Sequence, residues 1–176
     1  MDDVFEPLDK LDEVCALLDG LSVKYEIHRH DDGEFSYLKD DEASIKIPDP
    51  YIERTMFIDF QDEISLFFGE EWHEHYFLCE HFFKEFLDTL SGFLKNGLCS
   101  AAVFIGDERR WGGSMMSTKA EVEEKCAEEV FAGPYPDPKE VKEYRRSWSE
   151  KGAEVHFLFW DPKFDKIVVI EKESRQ

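Results

Sequence analysis

The sequence predicts an α+β fold: a single domain over residues 1–176, with a mainly antiparallel sheet built from hairpins and covered by about four helices. Three observations carry that prediction. Runs alternating between apolar and polar residues are joined by tight-turn signals. Apolar stripes at three- and four-residue steps fall at the start, middle and late parts of the chain. A composition of 42% hydrophobic and 15% aromatic residues, sixteen Phe among them, supplies a core that a merely charged chain would lack. No internal repeat, low-complexity tract or linker divides the chain.

The elements follow in order. Pro7 suits an early helical position, Leu8, Leu11, Val14, Cys15, Leu17 and Leu18 form a stripe, and Gly20 offers a left-handed stop. Ser22 to His30 alternates, Asp31-Asp32-Gly33 signals a turn, and Glu34 to Leu38 reads as the returning strand of a hairpin. Ala43, Ile45 and Ile47 mark another strand, ended by Pro48-Asp49-Pro50. Thr55 to Phe60 and Ile64 to Phe68 form a second hairpin around Gln61-Asp62-Glu63, and Gly69 to Phe77 is less regular. Phe82, Phe83, Phe86, Leu87, Leu90, Phe93 and Leu94 define a central helix over Cys79 to Gly97. Leu98 to Ile105 is a buried strand followed by Arg109 to Ser117, the pair expected in the sheet interior. Thr118 caps a helix through Phe131 with Glu121 completing a capping box, Pro138 to Lys151 is a further helix, and Glu154 to Trp160 with Lys166 to Lys172 is a last hairpin.

Charge bounds the function. With 41 Asp and Glu against 21 Lys and Arg, the formal charge is −20, which repels nucleic acid phosphate and steers cationic surfaces inward. The expected partner is a basic protein. No apolar run approaches the roughly 18 residues that span a bilayer, and the acidic N-terminus is unlike a signal peptide, so no membrane partner and a cytoplasmic location are expected. Cys15, Cys79, Cys99 and Cys126 include no CxxC pair and read as reduced, mostly buried thiols.

Candidate chemistry is sparse. His73 and His75 share a face if extended, and His81 beyond them could supply a third zinc ligand to a metal-dependent hydrolase; surface histidines are the plainer interpretation. His28 and His30 read as strand residues beside local carboxylates. Trp111-Gly112-Gly113-Ser114 lacks the frame of a nucleophile elbow, so Gly112 and Gly113 mark a bulge or a close backbone approach. No catalytic residue and no cofactor motif stands out. The surface itself is the better candidate, with Glu70, Glu71, Trp72, Glu74, Tyr76 and Tyr135 setting aromatic anchors among acids.

Phe67-Phe68-Gly69-Glu70-Glu71-Trp72-His73-Glu74-His75-Tyr76, the helix end Leu94-Lys95-Asn96-Gly97-Leu98, Trp111-Gly112-Gly113-Ser114 and Phe159-Trp160-Asp161 together resemble small bacterial acidic α+β proteins of the polymorphic-toxin immunity type. The likeness covers about residues 55 to 172. It implies an inhibitor whose acidic face meets a basic toxin domain, and transfers no site residue. A regulatory interaction module, for instance a homodimer, is the other alternative.

Overall fold

A computed structural model describes residues 4–70, 72–133 and 137–173. The fold class is α+β with antiparallel sheets, as the alternation requires, and the strands are shared between two sheets of five and four. The chain divides into two compact units, residues 1–69 with 73–95, and residues 70–72 with 96–176.

In the N-terminal unit a 3-10 turn, Pro7–Lys10, leads into α1 (Leu11–Gly20). Strands β1 (Glu26–His28), β2 (Ala43–Pro48), β3 (Thr55–Phe60), β4 (Ile64–Phe68) and β5 (Trp72–Tyr76) lie side by side in that order, followed by α2 (Glu80–Leu94). Register places Ile45, Ile58 and Leu66 in one row and Ala43, Phe60 and Ile64 in another, all fully buried. Phe93 of α2 meets Phe68 edge-on at 5.2 Å and Phe86 meets Tyr76 at 5.5 Å, so the helix stripe covers this face. Each buried aromatic contributes roughly 1.5–3 kcal/mol of transfer free energy.

The first hairpin differs from the prediction. β1 has three residues and pairs with β2, whereas Gly33–Phe35 is a 3-10 turn. Two tertiary contacts outweigh the local alternation: Phe35 stacks on His28 at 4.0 Å, and His30 Nδ1 meets the Leu38 carbonyl at 2.6 Å. Segment 33–38 thereby buries Phe35 and Leu38 instead of extending the sheet. The helix stops also shift: Ser22 and Asn96, rather than Gly20 and Gly97, take the left-handed backbone, with φ of 56° and 58°.

The C-terminal unit holds β6 (Leu98–Ile105), β7 (Arg110–Thr118), α3 (Lys119–Glu124), α4 (Ala127–Phe131), α5 (Pro138–Lys151), β8 (Ala153–Leu158) and β9 (Lys166–Ile170). Spatial order is β7-β6-β8-β9, so β6 is interior as expected but β7 is an edge. Cys99, Ala101 and Val103 of β6 pack with Val155, Phe157 and Trp148 in the core. The helix expected from Thr118 to Phe131 breaks at Lys125, whose backbone is extended. A second capping box, in which the Glu129 carboxylate accepts from the Cys126 N–H at 3.1 Å, starts α4 afresh and lets both Val122 and Ala127 bury. Gly112 is the extra residue of a bulge opposite Val103 and Phe104, and a Cβ there would lie 2.6 Å from Ile105 Cδ1. All four cysteines are free; only Cys99 is buried, and the other three are half-buried.

Candidate functional site

The N-terminal sheet turns one face to α2 and carries a polar row on the other. Alternation sets Ser44, Asp59 and Ser65 opposite the buried isoleucines and leucine, and register aligns His28 with Ser44, Ser44 with Asp59, and Asp59 with Ser65. Ser44 Oγ donates to Asp59 Oδ1 at 2.6 Å, Tyr37 OH donates to Asp59 Oδ2 at 3.3 Å, and Ser65 Oγ lies 2.8 Å from His75 Nδ1. Burial pushes the Asp59 carboxyl above its ordinary range, and the Ser44 and Tyr37 hydroxyls offset this only in part. The Tyr37 phenol is also raised, first by burial and then by the Asp59 charge.

This row has some catalytic vocabulary without the wiring. Glu63 Oε1 stands 2.8 Å from His75 Nδ1, the same nitrogen that faces Ser65, so the carboxylate does not orient the opposite side of the ring as a triad requires. The row does not by itself assemble a nucleophile.

The predicted site residues separate. Trp72 and Tyr76 are 4% and 5% exposed and cannot act as surface anchors; both ends of β5 are buried, Tyr76 against Phe86 of α2. Glu74, between them, is exposed. Glu70 is drawn to a buried histidine: its Oε2 lies 2.6 Å from His156 Nδ1. His156 Nε2 in turn lies 3.2 Å from Glu154 and 3.4 Å from Arg109. Glu71 and Tyr135 lie outside the described residues.

His73 and His75 are exposed on β5 with ring centroids 5.1 Å apart, and His81 pairs with Glu85 one helical turn on, at 3.3 Å. Among the described residues no group of three or more His, Cys, Asp or Glu is placed to hold a metal ion, so the three histidines are not brought together as ligands. His28 lies 3.5 Å from Glu26 and 3.4 Å from Asp32, in keeping with its expected local carboxylates, whereas His30 lies in the turn beyond β1 and meets the Leu38 carbonyl instead of a carboxylate. No described helix is long and apolar enough to cross a membrane.

Charge is the feature that localises. The N-terminal unit carries 23 Asp and Glu against 8 Lys and Arg, a net −15, whereas the C-terminal unit carries 18 against 13, a net −5. On the N-terminal unit Asp40, Asp41 and Asp62 are exposed, and Tyr37 and Tyr51, 55% and 61% exposed, supply aromatic surface. Lys39 answers some of this charge, reaching Glu42 at 2.8 Å and Asp62 at 3.7 Å. A cleft of about 570 Å³ in the C-terminal unit, by contrast, balances Arg110, Lys151 and Lys172 against Asp107, Glu108 and Glu150.

Composition could not locate the polar row. Its only sequence signal is the parity of Ser44, Asp59 and Ser65 against their apolar neighbours, which acquires meaning once register is known. No protein-family model matches the chain, and no curated protein and no solved structure matches it.

Proposed function

We propose that the chain is an acidic protein-binding domain of immunity or antitoxin type, which covers the cationic face of a basic toxin and needs no turnover. One observation carries it: three quarters of the surplus negative charge resides in the N-terminal unit. A field of one sign concentrated on one unit raises the encounter rate with a cationic partner and suppresses anionic ones. Exposed Tyr37 and Tyr51 take the anchoring role that buried Trp72 and Tyr76 cannot.

The test is association with a panel of basic ribonuclease and deoxyribonuclease domains, followed in low and high salt. We expect tight binding to at least one, with an association rate that falls steeply as salt rises. Reversing Asp40, Asp41 and Asp62 to Lys should abolish it, whereas reversing the exposed Glu123, Glu124 and Glu140 of the C-terminal unit should leave most of the affinity. Equal losses from the two triple variants, or no binding to any basic domain, would reject this function.

A further inference from the structure

We propose that β5 is a docking edge, accepting an extended lysine- or arginine-bearing segment of the partner as a sixth strand of the N-terminal sheet. This rests on the cationic partner argued above and adds how it is held. β5 is the terminal strand of its sheet, and among the described residues no backbone hydrogen bond from outside the sheet reaches residues 73–75. Trp72 and Tyr76 are buried at its ends while His73, Glu74 and His75 are exposed, so the strand is anchored at both ends and open in the middle.

Edge strands usually carry a device that blocks pairing: shortness, a bulge, a proline or a charged side chain, most often lysine. Two of the other edges have one: β1 has three residues and β7 is bulged at Gly112. β9 is as long as β5 but presents exposed Ile167 and Val169, an apolar edge with no carboxylate to select a cationic strand. β5 has five residues with neither proline nor lysine, and its acidic residue, Glu74, has the sign that a cationic segment would pair with. At about 3.3 Å per residue it offers roughly 17 Å of ladder.

Charge complementarity selects the occupant. Glu74 has no ion-pair partner among the described residues, Glu63 lies beside His75 at 2.8 Å, and the unit as a whole carries −15. The stack of His73 on Phe67, with centroids 5.7 Å apart, gives aliphatic lysine stems an apolar floor. Main-chain pairing supplies the affinity and the carboxylates select cationic side chains.

The experiment uses the full chain and a nine-residue peptide of alternating Lys and Thr, beside the same peptide N-methylated at every backbone amide, which keeps the charge and removes the ladder donors. Binding is read by fluorescence polarisation in low salt, and by amide exchange across β5. We expect the parent peptide to bind and protect the amides of residues 73–75, the methylated one to bind at least tenfold more weakly, and Glu74→Lys to weaken the parent peptide at least tenfold. Equal binding of the two peptides overturns edge pairing and leaves the cationic partner standing. So does binding of a basic nuclease domain when neither peptide binds. Failure of peptides and nuclease domains alike overturns both.

Discussion

Replacing Glu121 by Gln tests how the C-terminal unit is held together, because one carboxylate there organises the junction of β7 and α3. Glu121 Oε2 accepts from the Thr118 N–H at 3.0 Å, the Thr118 hydroxyl at 2.9 Å and the Ser117 hydroxyl at 3.2 Å, while Oε1 meets Lys125 Nζ at 3.2 Å. The Thr118 N–H is the largest cause that brings its pKa down to about 2 from the ordinary 4.5; partial burial opposes it. One pKa unit corresponds to about 1.4 kcal/mol, so the ceiling on the charged form's contribution is about 3 kcal/mol. The side chain is 29% exposed and solvent screens part of this, leaving about 1–2 kcal/mol, the size expected of a good helix cap.

The sign follows from linkage. A carboxylate depressed on folding contributes fully above pH 4.5, and the contribution is lost as pH falls toward about 2. Urea unfolding of wild type and Glu121→Gln at pH 7, 5 and 3 should therefore show a gap that is widest at pH 7 and narrows below pH 4.5. Amide exchange of Glu121 and Val122 should speed up in the variant at pH 7. A gap that stays constant down to pH 3 would refute the assignment to charge, and no gap at pH 7 would refute the cap itself.

Asp59→Asn should show the opposite slope: burial raises the Asp59 carboxyl, so ionising it as pH climbs above the ordinary carboxylate range costs the wild type stability that Asn does not lose. The stability of the variant relative to wild type should rise between pH 4 and 7, and a falling difference would contradict the burial argument. Gly112→Ala should destabilise by about 1–2 kcal/mol through overpacking. Since the new Cβ would sit 2.6 Å from Ile105 Cδ1, adding Ile105→Val, which deletes that methyl, should recover part of the loss in thermal unfolding; additive losses would mean the contact is not the cause. Burial pushes the Cys99 thiol up to about 12, so iodoacetamide at pH 8 should modify the half-buried Cys15 and Cys79 well before Cys99, as peptide mass spectrometry would show; early labelling of Cys99 would contradict its burial.

Elements whose local pattern and tertiary environment agree were legible in the chain. The stripe from Phe82 to Leu94 became α2, Thr55–Phe60 and Ile64–Phe68 became a paired hairpin, and Asp137-Pro138 began α5 with Asp137 Oδ1 accepting from the Lys139 N–H at 2.8 Å. Where the two compete, local pattern loses: Glu34 to Leu38 alternates like a strand, yet Phe35 gains more by stacking on His28 than an exposed edge strand would offer. The candidate surface was legible only as charge. Trp72 and Tyr76 look like anchors among acids in sequence, and tertiary packing buries them at the two ends of β5 while Glu74 between them stays exposed.

Sequence alone established that this protein is acidic, rich in aromatics and of the α+β class, because apolar content and periodicity are properties of the chain itself. Only the tertiary structure decided that three quarters of the anionic surplus lies in one unit, that Ser44, Asp59 and Ser65 form a single row, and that β5 is left at an edge. Each depends on which strand neighbours which. Strand order and register are set by contacts between residues far apart in sequence, and no local pattern encodes them.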